Sequence, residues 1–145
     1  MKNILAAIDN CEMTTIESPV VKKTIELAGP FTSRVWLLHV APPSRQPPYN
    51  IDSMMTRRET ATELRHEHDY LQHLAKCLQD RKIDASALLV QGNLINSMLK
   101  ESKRLNIDLV VLGCHKHGRL YGALMDNAEE GLLTKCPCPI MFVPS

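Results

Sequence analysis

Short continuous runs of apolar residues recur along the chain, separated by longer and more polar segments. Five runs stand out, at residues 2–8, 34–40, 84–90, 107–113 and 138–144. Apolar runs of about seven residues, bounded by polar or turn-forming residues, predict strands that are buried on both faces. The fourth run, "IDLVVLG", is the most apolar of the five.

The segments between the runs have the composition and spacing of helices. In the first, Ser18 is a candidate N-cap, Pro19 suits the first turn, and Gly29-Pro30 is predicted to end the helix. A third helix is predicted to begin near Asn93, and a fourth to extend from Asp126 to Lys135. The second helix is predicted over residues 52–81, with an intermittent apolar stripe of Met55, Leu64, Tyr70, Leu71, Leu74 and Leu78.

Buried strands alternating with amphipathic helices predict an α/β fold with a mostly parallel sheet and helices on both faces, which gives three layers. Residues 1–145 contain no repeat or linker and are predicted to form a single domain. Ligands of such folds bind at the carboxyl ends of the strands. The residues predicted at those ends are Asp9 and Asn10, Val40 and Ala41, Gln91 and Gly92, and Gly113 and Cys114.

Composition narrows the classes of function. The 145 residues include 44% hydrophobic and 23% charged residues, and the net charge is +1. This balance gives no electrostatic reason to expect a nucleic-acid partner. An eighteen-residue apolar run and a signal peptide are both missing, so no membrane association is predicted. Five cysteines without a secretory signal indicate free thiols in the cytoplasm.

The segments "ILAAIDN", "LLHVAPP", "IDLVVLGCHKHGRL" and "KCPCPIMFVP" resemble the universal stress protein A-like family, in order and over nearly the whole chain. The resemblance implies a five-stranded sheet in the order 3-2-1-4-5, in an adenine-nucleotide alpha-hydrolase-like, Rossmann-like fold. It implies that Asp9 and Gly113 face one cleft. It also implies a cytoplasmic homodimer in which the last strands, from Pro139 to Val143, pair across the dimer axis and cover an exposed edge.

Some members of this family bind ATP and others do not. Binders resemble one another in a Gly-x2-Gly-x9-Gly-Ser/Thr loop, whose glycines let backbone N–H groups approach the phosphates. When the motif is laid on this chain from Gly113, its other positions fall on Lys116, Asp126 and Asn127. The Asp126 carboxylate would repel a triphosphate. Asp126 is instead predicted to N-cap the fourth helix, with Glu129 completing a capping-box-like pair.

A shifted alignment uses Gly118 as the second glycine, but it lengthens the loop and does not restore the Gly-Ser pair. The Lys116 ammonium could still meet a phosphate, and Asn127 can donate a hydrogen bond. The loop after the fourth strand therefore occupies the phosphate-binding position but has lost most of the chemistry.

The predicted function is stress response by a non-enzymatic homodimer of the branch that does not bind ATP, without a cofactor. The alternative is a sensor of ATP or AMP, or a slow ATPase, that uses the same cleft. The resemblance implies that Asp9 and Val40 match positions that contact adenine and ribose in binders. The candidate cleft residues are Asp9, Val40, Gly113, Lys116 and Asn127, with Arg119 as a further basic residue for the sensor.

Two cysteine- and histidine-containing segments, "CHKH" at 114–117 and "CPC" at 136–138, contain metal-type ligands. Zinc requires four that converge. Cys136 and Cys138 flank the start of a strand, where their side chains are predicted to point to opposite faces, so no metal is predicted. Basic neighbours make Cys114 a candidate redox-sensitive thiol.

A further cluster lies in "RHEHDYLQH", where His66, Asp69, Tyr70 and His73 would share one helix face. This face is predicted to be solvated, with a surface metal site or a pH-sensitive patch as the alternative. His39 is predicted to be a hydrogen-bonded residue near the end of the second strand.

Overall fold

Five parallel strands form one sheet in the computed structural model. The structure describes residues 1–42, 52–114, 118–126 and 132–144, and the side chains of all of these except 52–60, 114, 121, 124–126 and 133. The strands are β1 (Asn3–Ala7), β2 (Arg34–Ala41), β3 (Ala85–Gln91), β4 (Leu109–Cys114) and β5 (Ile140–Pro144). Their order is β3-β2-β1-β4-β5, and every neighbouring pair is parallel. The predicted fold class and strand order are confirmed.

The described helices cover both faces of this sheet and complete a three-layer arrangement. Their bounds are α1 (Pro19–Phe31), α2 (Asp52–Asp80), α3 (Leu94–Arg104), α4 (Arg119–Asp126) and α5 (Leu132–Lys135). α1 and α2 pack on one face, and α3, α4 and α5 pack on the other. No helix among the described residues is both long and apolar enough to cross a membrane.

Two hydrophobic cores, one on each face, hold the layers together. Alternate residues of each central strand enter alternate cores, because side chains on a strand point to opposite faces. In β1, Ile4 and Ala6 face α1 and α2, whereas Leu5 and Ala7 face the other layer. Burying a residue such as Leu71 or Met98, both fully buried, stabilises the fold by about 1.5–3 kcal/mol. Tyr70, predicted in the apolar stripe of α2, is exposed instead.

The end of α1 differs from the prediction. The helix does not stop at Gly29-Pro30 but continues to Phe31, with Pro30 inside its last turn. A residue before proline is normally excluded from the helical conformation because its Cβ meets the proline ring. Gly29 has no Cβ, so the helix can pass. It ends at Thr32, which adopts the left-handed conformation at φ 51°.

The fourth helix also differs from the prediction. α4 begins at Arg119, within the segment predicted to be a loop, and Asp126 is its last residue. Asp126 therefore lies at the end of a helix and not at its start, so the prediction that it begins the fourth helix as its N-cap is wrong. The segment "RLYGALMD" is rich in helix-forming residues. It was nevertheless predicted to be a loop, because it was aligned with the phosphate-binding loop of the family. Glu129 lies outside the described residues. By contrast, the prediction that the third helix begins near Asn93 is confirmed. Asn93 is the N-cap of α3, and its side chain accepts from the Asn96 N–H at 3.0 Å.

A single carboxylate ties the start of β1 to the start of β4. Asp108 Oδ2 accepts hydrogen bonds from the backbone N–H groups of Asn3 and Lys2, both at 2.8 Å. These two bonds hold the pKa of the Asp108 carboxyl below its usual value. The two bonds thereby fix the register of β1 and β4 at the amino-terminal ends of these strands. Ligands of such folds bind at the opposite, carboxyl ends.

Candidate functional site

A groove opens where β1 and β4 end side by side. The chain leaves β1 toward α1 on one face and leaves β4 toward α4 on the other, so the two connections diverge at this point. Such a switch point is where open α/β sheets bind ligands. The described residues enclose a volume of about 460 Å³. The lining residues are Ala7, Asp9, Asn10, Met13, Thr14, Ser18, Pro19, Val20, Gly113, Gly118, Arg119 and Leu120.

The turn after β1 is held by Asn10. Its Oδ1 accepts from the backbone N–H groups of Glu12 at 3.1 Å and Met13 at 3.3 Å. The Thr14 hydroxyl donates to the Asn10 carbonyl at 2.6 Å. Asn10 therefore caps this turn, and Asp9 does not. Asp9 is left with no hydrogen-bond or ion-pair partner among the described residues, and its half-buried carboxylate faces the groove.

The start of α1 forms one wall of the groove. Ser18 occupies the N-cap position as predicted, but its side chain does not cap the helix. Its hydroxyl oxygen instead accepts from the Thr15 N–H at 2.9 Å. A helix start without a side-chain cap retains the partial positive charge of its first N–H groups. This wall therefore favours negative charge.

Arg119 crosses the end of the groove. It is the first residue of α4, and its Nη1 donates to the Val40 carbonyl at 2.9 Å. The preceding residue, Gly118, accepts the Gly122 N–H at 3.0 Å and so begins the helix. Arg119 also borders a second cavity of about 450 Å³ on the far side. The Arg119 guanidinium therefore borders both the groove and the second cavity. It is hydrogen-bonded to the Val40 carbonyl near the end of β2.

The second cavity has a largely acidic lining. It is lined by four carboxylates, of Asp9, Glu12, Glu63 and Glu67, and by three basic side chains, of His39, His66 and Arg119. An anion placed there would meet several carboxylates at short range. Burial, together with the charge of Glu67, raises the pKa of the Cys11 thiol to about 12. Cys11 is therefore a neutral core thiol and not a nucleophile.

His39, on β2, lies beside this cavity and contacts the residue after β1 and Glu67 of α2. It is buried, and its Nδ1 lies 2.8 Å from the Ile8 carbonyl, which can only accept. Nδ1 must therefore carry a proton. Its Nε2 lies 3.5 Å from Glu67 Oε2 on α2. The prediction that His39 is hydrogen-bonded near the end of β2 is confirmed.

The structure brings together some of the candidate residues. Asp9 and Gly113 line the larger groove, and Val40 lies behind Arg119 in a small space that Asp9 also borders. Lys116 and Asn127 lie outside the described residues, as do residues 43–51. The role of Arg119 at Val40 was missed from sequence, because 79 residues separate the two and no local pattern connects them.

The two remaining clusters predicted from the sequence are the histidine-containing face of α2 and the cysteine pair before β5. His66, Asp69, Tyr70 and His73 do share one face of α2 and line a common groove of about 390 Å³. Within the described part of the chain, no group of three or more metal-type side chains converges. The prediction that Cys136 and Cys138 point to opposite faces is wrong. Their sulfurs lie 3.7 Å apart, because β5 begins only at Ile140 and strand alternation does not apply before it.

The fold and the groove define a doubly wound parallel α/β protein with a ligand-type cleft at its switch point. Residues 1–144 match the model of the universal stress protein family. The chain belongs to this family. No individually curated protein sequence matches it.

Solved structures of the family share the fold at low sequence identity. Universal stress protein UspA from Lactobacillus plantarum is 14% identical, with 98% of this chain and 97% of that chain covered and a TM-score of 0.72. The universal stress protein from Archaeoglobus fulgidus in complex with dAMP is 14% identical, with coverages of 99% and 98% and a TM-score of 0.62. A family protein from Arabidopsis thaliana with AMP bound is 15% identical, with coverages of 99% and 92% and a TM-score of 0.54.

Proposed function

We propose that this chain is a single-domain, non-enzymatic stress-response protein of the family branch that does not bind ATP. Family membership supports the stress-response assignment. The free thiols of Cys11, Cys77, Cys136 and Cys138 support a reducing, cytoplasmic location. The branch assignment rests on the cleft, and one contact carries it.

That contact is the hydrogen bond from Arg119 to the Val40 carbonyl at 2.9 Å. The amino group of adenine can only donate, so it needs an acceptor at the base-binding position. The family resemblance places Val40 at such a position, and here its carbonyl is already bonded to Arg119. The Val40 oxygen has two lone pairs, so a base must either displace the guanidinium or share the oxygen with it, and losing the Arg119 bond costs about 1 kcal/mol or more. Adenine binding is correspondingly weakened.

The electrostatics of the second cavity add to this effect. Its carboxylates, Glu12, Glu63 and Glu67, oppose an extended phosphate tail on that side of Arg119. The groove on the other side is bordered by the unpartnered Asp9 carboxylate. A triphosphate would therefore face acidic groups on both sides.

Calorimetry on nucleotide-stripped protein tests the proposal, with ATP and AMP titrated with and without Mg²⁺. We expect no heat for the wild type at millimolar ATP, and measurable binding by Arg119→Ala, because the freed Val40 carbonyl can accept from adenine. The gain should be roughly tenfold, which is about 1.4 kcal/mol. Arg81→Ala, which removes an exposed arginine at the end of α2, is the matched control and should leave binding unchanged.

The second candidate function is an adenine-nucleotide sensor. The observation that favours it is the groove of about 460 Å³ between Asp9, Gly113 and the start of α1, where the helix N-terminus favours an anion. The Archaeoglobus fulgidus and Arabidopsis thaliana structures hold dAMP and AMP. In a sensor, Arg119 would leave Val40 and bind the phosphate. A monophosphate would fit this groove better than a triphosphate.

The Arg119→Ala variant separates the two functions by the sign of its effect. Under the leading proposal the variant gains affinity. Under the sensor proposal the wild type binds AMP and the variant loses affinity, because a phosphate ligand has been removed. Micromolar ATP binding by the wild type would contradict the leading proposal. Release of phosphate from ATP would point to the slow ATPase.

We also propose that the protein is a homodimer through residues from Pro139 to Val143. β5 is an edge strand of the sheet, and its outer backbone groups are unpaired within the described chain. Ile140 and Met141 are half-buried, and Phe142 is 37% exposed. Pairing with the same strand of a second copy would satisfy the backbone groups and cover these side chains.

A further inference from the structure

We propose that Cys136 and Cys138 form a reversible internal disulfide by exchange with a low-molecular-weight disulfide. The pair lies in the turn between α5 and β5, away from the cleft, and the inference does not depend on the proposed function. Their sulfurs are 3.7 Å apart, close enough for a hydrogen bond between the two thiols. Both residues are half-buried, so each is partly open to solvent.

The surrounding structure holds the two thiols together. The Cys136 N–H donates to the Leu132 carbonyl at 2.9 Å, which fixes Cys136 at the end of α5. The Pro139 carbonyl accepts from the Val110 N–H at 3.0 Å, which fixes the other end of the turn to β4. A disulfide bond is about 2.05 Å long. The sulfurs must therefore approach by less than 2 Å, roughly the reach of side-chain rotation.

The chemistry assigns different roles to the two cysteines. The pKa of the Cys138 thiol is raised to about 12. The largest cause is burial, followed by the hydrogen bond and charge of Cys136 and then by the charge of Asp108. Cys138 is therefore a poor first nucleophile, since only the thiolate attacks. The first attack falls to Cys136, and Cys138 acts as the resolving thiol.

The exchange proceeds in two balanced steps. The Cys136 thiolate attacks one sulfur of oxidised glutathione, the S–S bond breaks, and one glutathione leaves as a thiolate. Cys138 then loses its proton to solvent and attacks Cys136 Sγ, which expels the second glutathione. In sum, two protein thiols are oxidised and one disulfide is reduced to two glutathione thiols. A ring closed across one residue is strained, so reduced glutathione should reopen it readily.

The test uses the intact protein, reduced and then equilibrated with set ratios of oxidised to reduced glutathione. Free thiols are then alkylated and the protein is digested with trypsin. Cleavage after Lys135 releases residues 136–145, which contain both thiols and no other cysteine. In the wild type we expect this peptide to become lighter by two hydrogen atoms, to resist alkylation, and to return to the dithiol with excess reduced glutathione. Closure should quicken as pH rises, because the Cys138 thiolate fraction increases about tenfold per pH unit below its pKa.

Variants test whether closure needs both thiols. Cys138→Ser should trap glutathione on Cys136, and neither this variant nor Cys136→Ser should form the internal disulfide. Cys77→Ser is the matched control, since it removes a half-buried thiol on α2, and it should close its disulfide as the wild type does. The proposal is overturned if the wild-type peptide takes up two alkyl groups at every glutathione ratio, or if it carries glutathione on both sulfurs.

Discussion

His39 shows how one side chain organises the end of the sheet beside the cleft. Its Nδ1–H satisfies the Ile8 carbonyl at 2.8 Å, and its Nε2 faces Glu67 on α2 at 3.5 Å. Ile8 in turn donates its N–H to the Leu38 carbonyl at 2.7 Å. The imidazole thus links β2 to the residue that follows β1 and lies beside α2. Asp9 follows directly in the chain, so its placement depends on this link.

Replacing His39 by alanine should destabilise the fold by about 2 kcal/mol, because the buried Ile8 carbonyl loses its donor. Urea unfolding, read as the free energy of unfolding, measures this change. His66→Ala is the control, since it removes an exposed histidine on α2 that borders the same cavity and should change stability by less than about 0.5 kcal/mol. Equal effects of the two substitutions would mean that the His39 bond contributes nothing specific.

At the scale of the element, the effect of a glycine depends on the backbone conformation at its position. Gly29 lets α1 continue past a proline that normally ends a helix. Gly92 has φ +152°, a conformation that side chains rarely adopt, and a Cβ there would lie 3.3 Å from Ser97 Oγ. Gly122 lies inside α4, and a Cβ there would meet no atom within 4 Å. Glycine is therefore required by the backbone conformation at position 92, whereas position 122 in the helix can accept a side chain.

Alanine substitutions at the last two positions should have opposite effects. Gly122→Ala should stabilise the protein by about 0.5–1 kcal/mol, because alanine is the better residue in a helix interior. Gly92→Ala should destabilise it by about 1 kcal/mol or more, since the backbone is strained. Thermal unfolding of both variants beside the wild type provides the measurement. A destabilised Gly122→Ala variant would contradict a helix that begins at Arg119.

At the scale of the whole molecule, the strand order decides which surfaces remain open. The order β3-β2-β1-β4-β5 places β1 and β4 at the switch point and leaves β5 at an edge. The cleft and the proposed dimer surface are thereby on opposite sides of β4. Phe142, opposite Leu112 in the register, is exposed on that edge strand.

Phe142→Lys should convert the proposed homodimer into a monomer, because a charged lysine on an edge strand opposes strand pairing. Light scattering coupled to size-exclusion chromatography gives the mass directly. Phe31→Lys is the matched control, since Phe31 is an exposed phenylalanine at the end of α1, and this variant should stay dimeric. A wild type that is monomeric at all concentrations would rule out the dimer.

The sequence by itself determined the elements, since the burial of alternate faces and the helix signals act over a few neighbouring residues. It predicted five strands near their observed bounds, the start of α1 at Pro19 and the start of α3 near Asn93. The errors, at Gly29-Pro30 and at Asp126, arose where a local rule or a family loop pattern was applied without the backbone conformation. The strand order came from the resemblance to a family and not from the periodicity.

Only the tertiary structure decided which side chains contact each other at the cleft and at the cysteine pair. Arg119 reaches Val40, His39 reaches Ile8, and Cys136 lies beside Cys138 rather than across a strand from it. Each contact depends on how strands pair or on how a turn places its side chains. Hydrogen bonds act over about 3 Å, so the partners of Arg119 and His39 are set by the packing of segments that are far apart in the sequence. Hydrophobic periodicity along the chain carries no information on that packing.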